Sequence, residues 1–480
     1  MMTSFMSNLS PIGPEVALTL TALALLVGGA MRGERASNMI SWISVAVLVG
    51  AAIFGLKSAG ADPVQVFGGA LILDKLALFA KTAILLSAAL VLVIGAGFLQ
   101  IEKIIKYEYA ILILLATLGM MVMVSANDLL TLYVGLELQS LALYVLAAFN
   151  RSSLRASEAG LKYFVLGALS SGLLLYGMSM IYGFAGTTRF AGIADAAHLD
   201  ASMGLVIGIV FVLSGLAFKI SAVPFHMWTP DVYQGAPTPV TAFFASAPKF
   251  AAIVLIARLL LGPFADMMVQ WQQVLVALSV LSMTVGYFGA IMQRNIKRLM
   301  AYSSIANMGY AMIALAAGSQ RGLEALLLYM GLYLITTLGM FACILAMRQS
   351  EGMVENIDDL AGLSQTRPGL ALSFSLLLFS ISGLPPLAGF FGKLYIFLAA
   401  VEGGLLWLAI YGAVLSVVGA FYYLRIVKIM WFDEAAPAFV TPAFVLPLTA
   451  GVAAFFMLPG AVWLLPALER WAQAASASLF

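Results

Sequence analysis

Cysteine and histidine are almost absent from this 480-residue chain, which has one cysteine, Cys343, inside an apolar segment and two histidines, His198 and His226, far apart and in unlike contexts. An iron–sulfur cluster needs several thiolates and a structural zinc four nitrogen or sulfur donors, so neither has its ligands here, and the histidines do not suggest a bis-histidine haem. No GxGxxG follows a strand-like run, which removes the dinucleotide fingerprint. Charge is scarce as well: Asp, Glu, Lys and Arg make up 10% of the residues, against about 25% in soluble domains. The net charge of +2 gives no argument for nucleic acid. The N-terminal MMTSFMSNLSPIGPEV lacks the basic flank and cleavage site of a secretory signal, so the first apolar segment is expected to stay as a helix.

Apolar residues are what the chain has, 63% of the total, with a mean hydropathy of +1.04. A bilayer core takes about 20 apolar residues per helix. On that rule the sequence predicts an all-α polytopic membrane protein with fourteen spans. They run 14–31, 38–57, 73–99, 107–126, 128–149, 158–184, 203–229, 238–261, 272–292, 298–317, 322–347, 368–400, 403–430 and 438–466. Cytoplasmic loops collect Lys and Arg. With the N-terminus outside, thirteen cations fall on the cytoplasmic side and seven on the other, among them Lys81 and Arg258, while Lys162, Lys219, Lys249 and Lys393 lie inside spans. Both termini are thus expected on the outer, periplasmic side of a bacterial inner membrane.

Two spans are long and contain prolines. The seventh holds Lys219, Pro224 and His226; the twelfth, FSISGLPPLAGFFGKLYIF, holds Pro385, Pro386 and Lys393. Proline removes a backbone donor and frees a carbonyl, which lipid cannot satisfy but a polar cavity can. Each broken span is the fourth of a group of five, and consecutive groups of odd number insert with opposite orientation. The expected organisation is an N-terminal three-helix segment (1–106), a first five-helix repeat (107–262), a second, inverted repeat (263–432) and a C-terminal helix (433–480), with helices 7 and 12 broken as in many transporters.

An ionisable group in hydrocarbon costs roughly 2.5 to 3.5 kcal/mol, so those inside spans need a reason. Glu137 lies nine residues into the fifth span, about 13 Å deep. Tyr133, Ser140 and Tyr144 share its helix face. Lys249 is also near mid-span, with Ser246 one turn before it, and Ser303, Asn307, Tyr310 and then Tyr329, Tyr333, Thr337 form uncharged polar stripes. A sodium site needs several oxygen ligands and would be repelled by ammonium groups. A buried amine instead exchanges protons, because desolvation favours its neutral form and a nearby carboxylate its charged form. Plainer readings stand beside this one. Lys162 can snorkel to the surface, Glu137 and Lys219 can be a structural ion pair, and His226 can cap or line a cavity as readily as carry a proton. His198 reads as a solvated loop residue, Asp128 as a helix cap, Cys343 as packing, and Glu351, Glu355, Asp358 and Asp359 as a solvated connector or a docking surface.

Three stretches carry a resemblance: KISAVPFHMWTPDVYQGAPTPVTAFFASAPK, NDLLTLYVGLELQSLALYVL and SGLPPLAGFFGKLYIF. They resemble the antiporter-like proton-pumping subunits of respiratory complex I over the fourth to thirteenth spans. The pattern is most similar to the subunit N branch (mitochondrial subunit 2 counterpart). No lateral helix like that of subunit L is expected after the fourteenth span, and Lys393 stands where subunit M would have a glutamate. The resemblance implies a proton-translocating role for Glu137, Lys219, Lys249, Lys393 and Lys162, with His226 beside them. It also implies other membrane-arm subunits as partners, and FMN and iron–sulfur clusters in those partners, where electrons pass from NADH to quinone; no cofactor is expected in this chain. Rival readings are a multisubunit cation/proton antiporter, a membrane-bound hydrogenase subunit, and a structural subunit whose charges only hold helices together.

Overall fold

The computed structural model describes residues 11–58, 60, 62–199, 201–350, 352–458 and 464–480; Glu351 of the acidic run lies outside them. Among the described residues ten helical stretches are long and apolar enough to cross a membrane, and Glu108–Val124, Pro368–Ser382 and Val445–Met457 are shorter apolar helices. In chain order, α1 (Gly13–Arg32), α2 (Ser37–Ser58) and α3 (Lys75–Ile101) open the molecule. A short ribbon of β1 (Val64–Val66) and β2 (Leu71–Leu73) precedes α3. Then come α4 (Glu108–Val124), α5 (Leu129–Ala147), α6 (Leu154–Ala185), α7 (Phe190–Leu199), α8 (Met203–Ile220), α9 (Thr229–Gly235), α10 (Thr238–Ala245) and α11 (Ala247–Leu261). The second half holds α12 (Met268–Ile291), α13 (Ile296–Ala316), α14 (Gln320–Leu345), α15 (Leu363–Thr366), α16 (Pro368–Ser382), α17 (Ala388–Glu402) and α18 (Leu406–Phe432). A two-residue ribbon, β3 (Arg348–Gln349) with β4 (Gly352–Met353), follows α14, and α19 (Val445–Met457) and α20 (Leu464–Ser476) close the chain.

Both long spans break where the prolines predict. α8 ends at Ser221, which adopts a left-handed conformation (φ 63°), and α16 ends at Gly383 (φ 86°) in the same way. The amide of Ala222 bonds to Ala217 O and that of Leu384 to Phe379 O. These are the long bonds of a left-handed helix end, which occupy carbonyls that the broken helix would leave free. Each break continues into a cis prolyl bond, Val223–Pro224 and Pro385–Pro386. The second break therefore repeats the first with every residue shifted by 162 (221 to 383, 224 to 386).

A second recurrence involves α5 and α13. Asp128 caps α5 through Leu130 N and Thr131 N, and Asn295 caps α13 through Lys297 N and Arg298 N. Around each cap the chain returns to make two backbone bonds. Leu129 N donates to Thr188 O and Phe190 N to Asn127 O; Ile296 N donates to Glu355 O and Ile357 N to Arg294 O. Each residue is shifted by 167 (129 to 296, 188 to 355). By this register Glu137 corresponds to Ser304, and Ser140 to Asn307.

The structure differs from the sequence reading in several places. The span 238–261 is itself broken at Ser246 (φ −111°, ψ −99°), without a proline at that residue, so α10 and α11 are separate helices. The apolar run conceals this break because both halves are wholly buried. The loop holding His198 is helix α7, whose exposed imidazole Nδ1 lies 2.8 Å from Asp266 Oδ2. Lys81, Arg258 and Lys297, assigned to one or other aqueous side by the cation count, are all buried and ion-paired, to Glu15, Asp74 and Glu355. Counting Lys and Arg by distance from span ends cannot tell a loop residue from one turned inward. α20, an amphipathic helix against α3 and α14, was not expected.

Candidate functional site

The central charges come from helices positioned by the breaks. Lys219 occupies the last turn of α8, where unbonded carbonyls carry partial negative charge. Lys249 occupies the first turn of α11, where amide hydrogens carry the opposite sign. Lys393 stands in the second turn of α17, just past the other break. All three are inside the protein, at 7%, 1% and 4% exposure, rather than facing lipid.

Each amine has hydroxyl and aromatic partners. Lys219 Nζ donates to Ser140 Oγ (2.7 Å) and approaches Tyr144 OH (3.4 Å). Glu137, half-buried one turn before Ser140, accepts from Ser171 Oγ of α6 at 2.5 Å and makes no ion pair with Lys219 among the described residues. The direct pair considered from sequence is thus replaced by an arrangement in which Ser140 bonds the amine and Ser171 the acid. Lys249 Nζ donates to Ser304 Oγ, the residue in the Glu137 position of the second half, and lies 5.3 Å from the centre of the Tyr233 ring. Lys393 Nζ donates to Ser416 Oγ (2.9 Å) and to the carbonyl of Ser382 at the break (3.0 Å), which also accepts from Ser416 Oγ (3.0 Å), and sits 4.7 Å from the Tyr310 ring centre.

One helix face joins Lys249 to Lys393. On α13, Ser304 meets Lys249 and Tyr310 meets Lys393, six residues or about 9 Å along the axis. On the same helix Ser303 Oγ bonds Tyr423 OH (2.6 Å), Asn307 Nδ2 donates to Ser303 O (2.7 Å), and Tyr329 OH donates to Asn307 Oδ1 (2.7 Å), while Tyr310 OH donates to Gly412 O (2.8 Å). Lys219 and Lys249, by contrast, share no hydrogen-bond partner among the described residues; the stacked rings of Tyr163 and Trp228 (4.4 Å) and the Tyr233 ring stand in this region. Several buried polar atoms here have no protein partner, among them Tyr233 OH, Tyr422 OH, Thr337 Oγ1, Thr229 Oγ1 and His226 Nδ1.

Lys162 is not in this row. Its side chain is 42% exposed, and its amine pairs with Glu158 (2.7 Å) and Asp231 (2.8 Å), and Asp231 also binds Arg298 (2.6 Å). Burial pushes the Asp231 carboxyl up, but Lys162 and Arg298 outweigh it and hold the group below the usual carboxylate range. His226 sits in the turn after the first break, half-buried, its backbone carbonyl accepting from Thr229 N.

Residues 126–419 match the family described as NADH:quinone oxidoreductase/Mrp antiporter, TM. Over 461 residues the chain is 56% identical to NADH-quinone oxidoreductase subunit N of Maricaulis maris (strain MCS10), covering 95% of this chain and 96% of the relative. The chain belongs to this family. A chain of respiratory complex I from Thermus thermophilus with bound aureothin superposes with a TM-score of 0.80 at 31% identity, over 95% of this chain and 99% of that one. A chain of the Mrp complex from Dietzia sp. DQ12-45-1b superposes with a TM-score of 0.86 at 23% identity over 97% of both, which shows a shared fold.

Glu137, Lys162, Lys219, His226, Lys249 and Lys393 all fall inside the family's matched region. Three ion pairs, two of them buried on both sides, escaped the sequence reading. Asp74 grips Arg258 through two bonds (2.7 and 2.8 Å), Lys81 lies 2.5 Å from Glu15, and Lys297 lies 2.7 Å from Glu355. Asp74, Glu15 and Lys81 lie before the matched region. The available signal was Asp74 just ahead of an apolar run, the pattern of a helix cap, which it is for Ala77 N.

Proposed function

We propose that this chain is a proton-translocating membrane-arm subunit of an NADH:quinone oxidoreductase in a bacterial inner membrane, with both termini on the periplasmic side. It works beside other antiporter-like subunits and beside partner subunits that hold FMN and iron–sulfur clusters and pass electrons to quinone. The observation that carries this reading is the polar face of α13, which joins Lys249 to Lys393 inside an otherwise apolar bundle.

The residues divide the work by what each side chain can do. An amine that takes up a proton becomes an ammonium and returns to neutrality when it releases it, so Lys219, Lys249 and Lys393 are stations. Ser304, Ser303, Asn307, Tyr329 and Tyr423 both donate and accept, so they hold water and hand protons between stations. Buried polar atoms are nearly always bonded to protein or to ordered water, so the unpartnered hydroxyls of Tyr233, Tyr422 and Thr337 mark where water completes the path. Glu137 sets the charge of Lys219 across Ser140: its carboxylate favours the ammonium, and a shift of the α5–α6 contact at Ser171 changes that influence. Lys162, with Asp231 and Arg298, forms the hydrated end of the first half, and His226 lines the first break. The two five-helix units, 107–262 and 263–432, form the two half-channels. Against 100 mV each charge costs about 2.3 kcal/mol, so the drive comes from the partner complex.

A multisubunit cation/proton antiporter shares the fold, but three buried amines oppose a metal cation on the same path. Purification of the assembled complex tests the choice. The chain is expected to co-purify with flavin- and cluster-bearing subunits, and its vesicles to pump protons on NADH at a rate independent of sodium. Sodium-dependent flux without NADH oxidation would instead establish the antiporter. Within that complex Glu137→Gln is expected to lower pumping at least tenfold and Ser171→Ala by less than threefold, because the serine only orients the acid; NADH-driven acidification of vesicles measures both.

A further inference from the structure

Outside residues 126–419, a cavity of about 400 Å³ lies between α1, α3 and α20 and reaches the surface at Asp62, Lys75 and Ser478. The Glu15–Lys81 pair lines it, each residue only 7% exposed, with 2.5 Å between them. Glu15 Oε1 meets the amine, while Oε2 is buried and has no partner among the described residues. A buried carboxylate oxygen left without a donor costs about 1 to 3 kcal/mol or more, and a space of this volume with Glu15, Asp74 and Lys81 on its otherwise largely apolar wall holds water beside those groups, which supplies that donor.

The pair is also tied to the central row. Lys81 is six residues past the start of α3, and Asp74, which caps that helix and also lines the cavity, grips Arg258 of α11, the helix that carries Lys249. Phe79 of α3 packs against Phe250, the neighbour of Lys249 (6.1 Å between ring centres). The charged groups around the pair are thus Asp62, Asp74, Lys75 and, through Asp74, Arg258.

We infer that this cavity is a water-filled proton port, in which the Glu15–Lys81 pair takes up one proton from the aqueous phase on its face of the membrane and gives it back. Hydronium at the mouth gives its proton to Glu15 Oε2 and leaves as water; the ion pair becomes a carboxylic acid beside an ammonium, and the reverse step restores it. The port rests on the reading of the chain as a proton translocator and adds to it a function for the N-terminal three-helix segment.

Two measurements on the assembled complex test it. In a Cys343→Ala background, Ala474→Cys places a thiol on the cavity wall; a membrane-impermeant charged thiol reagent is expected to label it from one side, and the labelled complex to lose at least half of its proton pumping. Glu15→Gln is expected to retain NADH oxidation while protons pumped per NADH fall at least twofold, and Glu15→Asp to restore the ratio. An unlabelled Ala474→Cys, a labelled complex that pumps normally, or an unchanged ratio in assembled Glu15→Gln overturns the port. Should Glu15→Gln not assemble, the labelled cysteine alone decides. If Lys249→Ala also pumps normally, the proton-translocator reading has failed; if it does not pump and the Glu15 and labelling results are negative, only the port has.

Discussion

Lys249→Ala is expected to reduce NADH-driven proton pumping at least tenfold while the chain still assembles into its complex. The residue is the most buried of the central amines, at 1% exposure, and its hydrogen bond is to Ser304. Removing it leaves the α13 polar face with no station at its Ser304 end, whereas Lys393 keeps its bonds to Ser382 O and Ser416. Positioned proton-transfer groups contribute about 10²- to 10⁴-fold to rate, so tenfold is the lower bound. Assembly survives because alanine in place of an amine with no ion-pair partner leaves no opposite charge stranded, unlike the loss of one member of a buried pair. Lys249→Arg separates the two meanings of the charge. Arginine keeps a cation beside Ser304 but does not release its proton in proteins, so a conducting role predicts that Arg fails like Ala, and a purely structural charge predicts that Arg restores pumping. Acidification of inside-out vesicles, normalised to NADH oxidation by the same vesicles, is the measurement.

What was legible in the sequence follows from how strongly a residue type conflicts with its surroundings. Lys219, Lys249 and Lys393 stand in apolar runs, and Pro224 and Pro386 cannot continue a helix, so both the stations and the two proline breaks could be placed from residue type alone. The stripe of Ser303, Asn307 and Tyr310 was visible from helical spacing, and it meets Lys393 through Tyr310, whereas the contact to Lys249 comes from Ser304 beside it. Partners were not visible. Ser171 for Glu137, and Ser304 for Lys249, come from other helices, and no spacing along one helix predicts which helix packs beside it. The break at Ser246 was hidden because it occurs without a proline at that residue in a run whose every residue is buried. The three ion pairs were missed for a related reason: Arg258 lies near a predicted span end, Lys81 was counted with the outer cations although it lies inside the predicted span 73–99, and only the fold turns them toward Asp74 and Glu15.

Asp74→Ala is expected to remove most of the assembled chain from membranes, the largest stability effect of any single substitution considered. Asp74 and Arg258 are 2% and 4% exposed at their side chains, and the carboxylate takes both ends of the guanidinium, at 2.7 and 2.8 Å. Arg258 also donates from Nε to Val124 O (2.9 Å), so α3, the end of α4 and α11 meet at one cation. Removing one partner of such a pair strands a charge in low dielectric, at a cost of about 3 to 5 kcal/mol, and Asp74→Ala also deletes the cap on Ala77 N, worth about 1 kcal/mol more. Against a typical stability of about 5 to 15 kcal/mol, that loss unfolds a large share of the protein. Asp74→Asn, which keeps the cap and one bond to Arg258, is expected to be intermediate. The double substitution Asp74→Leu with Arg258→Met is expected to recover much of the loss, since apolar side chains of similar size often replace a buried pair at no cost. Chain abundance in membranes, together with the thermal midpoint of the purified complex, orders the four proteins. If Asp74→Ala alone matched the parent in both, the pair would not hold α3 to α11, and the route by which the Glu15–Lys81 cavity touches the central row would lose its mechanical link.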